Sequence, residues 1–225
     1  MADLVLIHGS TQSPAGFGPL VAALAERGHR AFTPWIRGEP TASAVEHAEV
    51  LTAQLPADLV APVVLAHSAA GLLLPAVARR LDAVHQIWLA AAVADYPNRR
   101  SLLTELQADP QAMVNPEWLG VDPTTDPVLA TYFLFHDAGL AALRHGLATL
   151  HATDLSGVYA EVPATDPARI SSSYLLPRGD RALRATWMAR VARERLGVEP
   201  IEVDGGHNLY VARPELVAEA IATQI

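Results

Sequence analysis

Two residue types are missing from this 225-residue chain. There is no cysteine, which excludes disulfides, thiolate nucleophiles, iron–sulfur clusters and cysteine-type zinc sites. There is no lysine either, so all 16 basic residues are arginine. That removes Schiff-base and pyridoxal chemistry and the phosphate loop whose lysine reaches a nucleotide. Codon bias in a GC-rich genome is the plain account of the missing lysine, and the exclusions hold regardless. Positive charge is scarce: the formal net charge is −8, which argues against nucleic-acid or anionic-membrane partners. No apolar stretch approaches the ~20 residues that span a bilayer. Met1-Ala2-Asp3 runs straight into apolar residues, with no basic stretch and no cleavage site, so a cytoplasmic location is expected.

What is present is ample apolar material. Apolar residues make up 51% of the chain and charged residues only 18%. That suffices for one compact domain with a modest insertion. Short apolar runs at 4–7, 30–33, 63–66, 86–92, 170–176 and 198–203 read as strands, several of them buried on both faces. Helical patterns at 16–28, 41–55 and 69–81 alternate with the first four, and further helices are expected at 182–196 and 214–224. Pro75 should kink the 69–81 helix. Such alternation predicts an α/β fold: a mostly parallel sheet with helices on both faces. From 96 to 168 the rhythm breaks into Pro-, Asp- and Thr-rich chain with short helical pieces at 127–135 and 138–150. This segment reads as a cap inserted into one sheet domain made of 1–95 and 169–225.

Four stretches carry chemistry. The first is Val63-Val64-Leu65-Ala66-His67-Ser68-Ala69-Ala70-Gly71, a strand running through small-x-Ser-x-small into a helix. It has the form of a nucleophile elbow, where bulky flanks would strike the neighbouring strand and helix. Ala66 and Ala70 stand where glycine is commonest. Such a turn exposes the Ser68 hydroxyl and aims the Ala69 N–H at an oxyanion; the competing account is that Ser68 only caps a helix. The second is Leu6-Ile7-His8-Gly9-Ser10-Thr11, a strand end followed by small polar residues. Ser10 N–H is the expected second oxyanion donor, and Gly9 would let the backbone approach the substrate. The third places Asp180 in a turn after the 170–176 strand, and the fourth places His207 after Gly205-Gly206 and the last strand. Each is weak alone, but Ser68, Asp180 and His207 stand in the chain order of α/β-hydrolases. All four stretches follow strand C-termini, where open α/β sheets hold their sites.

On these residues the chain resembles the α/β-hydrolases, and within them the methylesterase and hydroxynitrile-lyase group. The matching pieces are Leu4-Val5-Leu6-Ile7-His8-Gly9, Phe133-Leu134-Phe135-His136-Asp137, Ile170 through Asp180, and Gly205-Gly206-His207. The resemblance implies the α/β-hydrolase fold and a serine hydrolase acting on a small-molecule ester. Ser68, Asp180 and His207 would be its triad and a helical cap would shape the pocket. No cofactor and no metal are expected. The lyases of the group have a lysine just after the catalytic histidine, where this chain has Asn208, and a threonine where it has Gly9. Both departures favour the esterase-like branch. A lyase or C–C hydrolase using the same triad, and a non-catalytic ligand-binding protein of this fold, are the alternatives.

Thr11, His67, Trp118 and Phe133 are candidates for lining the substrate pocket, although Trp118, Phe133 and Phe135 suit core packing as well. His8 suits a structural role in the oxyanion loop better than that of a base. Asp95 also follows a strand end and competes with Asp180 as triad acid, though a turn role is simpler for it. His136, Asp137 and Asp166 lie in the inserted segment; His136 and Asp137, two adjacent ligands without a third, make a poor metal site, so an internal hydrogen bond or a cap contact is expected of that pair. Oligomeric state is not readable from the sequence.

Overall fold

A computed structural model describes all residues from Met1 to Ile225. Six strands form the sheet: β1 (Asp3–Ile7), β2 (Arg30–Phe32), β3 (Val63–His67), β4 (His85–Leu89), β5 (Ser171–Pro177) and β6 (Ile201–Val203). They lie in the order β2-β1-β3-β4-β5-β6, and every neighbouring pair is parallel. The helices are α1 (Gly18–Glu26), α2 (Ala44–Thr52), α3 (Leu74–Arg80), α4 (Leu102–Ala108), α5 (Pro110–Met113), α6 (Pro127–Leu134), α7 (Leu140–Ala148), α8 (Ser156–Ala160), α9 (Ala185–Val191), α10 (Leu209–Ala212) and α11 (Pro214–Ala222). Five of them, α4 to α8, lie between β4 and β5.

The continuous apolar runs of β1 and β3 make sense in a sheet covered on both faces. Side chains alternate along a strand, and here both directions are core. Val5 and Ile7 join Val64, Ala66, Trp88 and Tyr174 on one face, against α2, α3 and α9. Leu4 and Leu6 join Val63, Leu65, Ile87 and Leu89 on the other, against α1, α6 and α11. Each fully buried Val, Leu or Ile stabilises the fold by roughly 1.5–3 kcal/mol before chain entropy is counted.

Several elements are shorter than their sequence patterns. The helix expected from 41 starts at Ala44, because Ser43 forms a capping box with Glu46: Ser43 Oγ accepts from the Glu46 N–H and the Ser43 N–H donates to the Glu46 carboxylate. Strand β4 stops at Leu89, and Ala90 takes a positive φ of 46°. Strand β6 begins only at Ile201, after Gly197 has ended the preceding helix in the left-handed region. The 69–81 helix is divided into a 3-10 turn, Ser68–Leu72, and α3. Pro75 therefore sits in the first turn of α3, where its missing N–H costs nothing. The kink expected at Pro75 is replaced by a helix start. The helix expected from 182 begins at Ala185, because Asp180 organises the turn ahead of it.

Candidate active site

Residues 10, 68, 92, 180 and 207 follow the C-terminal ends of β1, β3, β4, β5 and β6. The turn from β3 is sharp enough to hold Ser68 at φ 56°, a left-handed conformation that costs a non-glycine residue of order 1–2 kcal/mol. Contacts with the chain that follows β4 maintain it. The Ser68 carbonyl accepts from Ala92 N–H at 2.9 Å. Tyr174, buried in β5, donates its hydroxyl to the Ala91 carbonyl at 2.7 Å and fixes the same stretch. Gly71 passes so close to the Ala92 carbonyl that any Cβ there would strike it. Gly71 belongs to the steric requirement of the elbow as much as Ala66 and Ala70 do, and the small-residue rule, taken one position further, would have found it.

Gly9 has a different close neighbour from the one expected. A Cβ on Gly9 would come within 2.8 Å of Ser68 Cβ and 3.2 Å of the His67 carbonyl oxygen. The loop after β1 is thus seated on the elbow itself. His8 is fully buried and its ring is used at both nitrogens: Nδ1 donates to the Gly9 carbonyl at 2.9 Å, and Nε2 accepts from Ile36 N–H at 3.1 Å. That pattern requires the neutral ring, and burial pushes its pKa down to about 4. His8 shapes the loop and does not face Ser68.

Ser68, His207 and Asp180 meet in one hydrogen-bonded line. His207 Nε2 is 3.0 Å from Ser68 Oγ, and His207 Nδ1 is 2.7 Å from Asp180 Oδ2. The Asp180 carboxylate has no solvent exposure and that of His207 is 2%. Oδ1 of Asp180 accepts from Ala182 N–H at 2.7 Å and Leu183 N–H at 2.9 Å. All lone pairs that matter to this buried acid are therefore engaged. Asp95, the competing acid, instead accepts from the Asn98 backbone and side-chain N–H groups and closes its own turn. Asp166 accepts from Ala168 N–H at the start of a 3-10 turn.

The histidine loop is braced from the inserted segment. Asp137 Oδ2 accepts from Gly206 N–H at 3.0 Å and is 3.5 Å from Arg213 Nε. A Cβ on Gly206 would fall 2.7 Å from His136 Cε1. Asp137 thus makes an internal hydrogen bond to the loop that precedes His207, while His136 meets Gly206 by packing alone. Below His207 lies His67, whose Nε2–H donates to the His207 carbonyl at 2.9 Å while the two rings pack at 4.7 Å. Burial, then the neighbouring His207, hold His67 well below the ordinary histidine pKa.

A cavity of about 230 Å³ opens over Ser68 and His207. Ser10 and Ala69 line it together with Ser68. Its remaining wall is mostly apolar and includes Leu106, Met113, Val114, Trp118, Tyr159 and Leu183. Of the four pocket candidates, Trp118 is in this wall and Thr11, His67 and Phe133 are not. His67 lies beneath the site with no exposure; Phe133 is 2% exposed and packs edge-on against Trp118 from the core side. Thr11 faces the inserted segment, its carbonyl accepting from His151 N–H at 3.1 Å. Asn208 is buried and does not line the cavity. The wall residues of α4, α5 and α8 lacked a sequence signal, because their helices are too short to show a period. A larger groove of about 450 Å³, with Arg79, Gln86, Asp166 and Arg169, lies at the N-terminal ends of β4 and β5 and contains none of the three central residues.

No group of three or more His, Asp or Glu side chains is arranged to hold a metal ion, and no helix is long and apolar enough to cross a membrane.

No curated protein matches the sequence. Solved structures do match across nearly the whole chain. Polyneuridine aldehyde esterase superposes with a TM-score of 0.82 at 13% identity, covering 100% of this chain and 99% of that one. The methylesterase MES16 from Arabidopsis gives 0.75 at 12% identity over 100% and 98%, in line with the group the sequence resembles. A pyrethroid hydrolase from Sphingobium faniae JZ-2 gives 0.74 at 18% identity over 99% and 96%. The profile of the alpha/beta hydrolase family matches residues 4–220, and the chain belongs to that family.

Proposed function

We propose that this chain is a serine hydrolase that cleaves small carboxylic esters. One observation carries the reading: a buried Asp180–His207–Ser68 hydrogen-bond line ends in a mostly apolar cavity. Ser68 attacks the ester carbonyl. His207 takes its proton through Nε2 and returns it to the leaving alcohol, while Asp180 holds the ring in the tautomer with Nδ1–H and stabilises the imidazolium. Ser10 and Ala69 N–H groups hold the tetrahedral oxyanion. Water, activated by His207, then releases the acid from Ser68.

Residues 96–168 serve as the cap, since α4, α5 and α8 supply Leu102, Leu106, Met113 and Tyr159 to the cavity wall. At about 230 Å³ the cavity is below the ~300 Å³ at which pockets for drug-sized ligands begin, which favours small esters. The polyneuridine aldehyde esterase and methylesterase likenesses agree with ester cleavage. The buried, unlining position of Asn208 gives no support to a lyase. The test is labelling with a fluorophosphonate, followed by p-nitrophenyl esters of increasing acyl length. Stoichiometric labelling at Ser68 and turnover of the short esters are expected. A chain that neither labels nor turns over any ester would be a binding protein.

A further inference from the structure

The loop that carries Ser10 is not free-standing. From residue 10 to 13 it runs antiparallel to residues 149–153, beyond α7 in the inserted segment. Thr153 N–H donates to the Ser10 carbonyl at 2.8 Å, and His151 N–H to the Thr11 carbonyl at 3.1 Å. Gln12 and Leu150 form an antiparallel bridge, and Ser13 N–H donates to the Thr149 carbonyl at 3.0 Å.

At the centre of this seam stands Gln12, a polar side chain with no solvent exposure. Its amide is engaged at both ends: Nε2 donates to the Gly146 carbonyl at 3.2 Å, and Oε1 accepts from Thr149 Oγ at 2.8 Å. A Cβ on Gly16 would come within 2.6 Å of Gln12 Oε1, so the chain on the far side is fitted to this amide as well. A buried amide needs such partners, since leaving it unpaired costs more than a made hydrogen bond contributes. Gln12 does not line the cavity. On its other side the same loop rests, through Gly9, on Ser68 Cβ.

From this seam we infer that Gln12 is a positioning residue for oxyanion stabilisation. The inference rests on the reading of Ser68 as nucleophile and Ser10 N–H as oxyanion donor. The Ser10 peptide is clamped between the elbow and the inserted segment, and the Gln12 amide fixes the distance between loop and segment. Releasing it lets the Ser10 N–H drift from the line on which the tetrahedral oxygen forms. A displacement of about 1 Å can cost on the order of 10²-fold in rate, and complete loss of one oxyanion donor ~10²–10³-fold in kcat. The ester's ground-state carbonyl depends less on that donor, so KM should hardly move.

The experiment compares wild type, Gln12→Leu and Thr149→Val, with active sites titrated by fluorophosphonate so that kcat is per competent Ser68. A trifluoromethyl ketone serves as oxyanion probe: Ser68 Oγ adds to its carbonyl carbon, the hydroxyl proton passes to His207, and the carbonyl oxygen becomes the held alkoxide. Expected are a fall in kcat of about 10- to 100-fold for Gln12→Leu, KM within about threefold, and ketone affinity weakened in step with kcat. Thr149→Val should show the same pattern more mildly, and the double variant should lose less than the product of the singles. A role confined to stability would lower Tm and the titratable fraction while leaving kcat per site and ketone affinity unchanged; that result overturns the inference. Should Gln12→Leu fail to fold, normal kcat and ketone affinity in Thr149→Val overturn it equally. A wild-type chain that does not label with fluorophosphonate overturns the hydrolase reading and this inference together, whereas labelling with unaltered variants overturns this inference alone.

Discussion

Gly9 and Ser68 are in backbone-to-side-chain contact: the hydrogen of Gly9 points at Ser68 Cβ, and a methyl group there would lie 2.8 Å from it. The atoms around that position belong to a buried turn and to the His67 backbone and ring, not to a flexible side-chain end. Gly9→Ala must therefore push the loop and the elbow apart. Overpacking of this kind costs typically 1–3 kcal/mol, and the movement separates Ser10 N–H from Ser68. Urea unfolding should show that loss, and ester turnover should fall by roughly 10²-fold. Normal turnover would mean that the loop position does not matter to the chemistry.

Ser68 itself makes separable predictions for activity and stability. Both Ser68→Ala and Ser68→Gly should abolish acyl-enzyme formation, leaving only ~10³–10⁴-fold acceleration over water. Their stabilities should differ. Alanine keeps the strain of φ 56°, whereas glycine relieves roughly 1–2 kcal/mol of it and returns about 0.5–1 kcal/mol as unfolded-state entropy. Ser68→Gly should melt at or a few degrees above Ser68→Ala, as ~1 kcal/mol moves Tm by about 2–4 °C in a chain of this size. A glycine variant clearly less stable than the alanine one would show that the elbow is not strained.

The parts of this architecture legible in sequence are those fixed by local rules. Runs such as Val63–Ala66 could be assigned as buried strands because no polar side was needed. Ala66 and Ala70 marked the elbow because only small side chains fit there. The meeting of Asp180 with His207 could not be read from spacing, since Asp95 had the same local look; what separates them is that Asn98 occupies the Asp95 carboxylate. Residue type points Phe133 and His67 to the pocket, but the depth at which a side chain ends is set by packing between distant segments, and both lie outside its wall. The divided helix after Ser68 was hidden because a 3-10 turn and an α-helix share nearly the same apolar spacing over so few residues.

Acid should destabilise this fold earlier than its carboxylates alone would dictate. His8 titrates at about 4 when folded and at about 6.5 when unfolded. Between those values the unfolded chain binds the extra proton, so stability rises with pH and is lost as pH falls from about 6.5 to about 4. The full effect, reached below pH 4, is on the order of 3 kcal/mol. His67, also held neutral by burial, acts with the same sign. Protonated His8 would present an N–H to the Ile36 N–H that it now accepts from. Urea unfolding at pH 7, 6 and 5 on wild type and His8→Asn tests this. The stability gap between the two should shrink as pH falls, and a pH-independent gap would remove His8 as the cause.

The sharpest test of the site concerns its acid. Asp180 gives one oxygen to His207 Nδ1 and the other to the N–H groups of Ala182 and Leu183. Asn in its place can keep one of these arrangements but not both. If its amide oxygen stays on the backbone N–H pair, its NH₂ faces His207 and donates to Nδ1, which puts the ring proton on Nε2, the atom that must accept from Ser68. The wrong tautomer then dominates, and kcat should fall on the order of 10⁴-fold. If the amide turns over, two buried N–H groups confront an NH₂, at a cost of about 1–3 kcal/mol in stability. Asp180→Asn should therefore be crippled in turnover, destabilised, or both. Asp95→Asn retains an oxygen for the Asn98 N–H groups and should keep kcat within a few-fold of wild type. Measuring kcat and urea stability of both variants on one ester decides between the two acids. A crippled Asp95→Asn beside a normal Asp180→Asn would reverse the assignment.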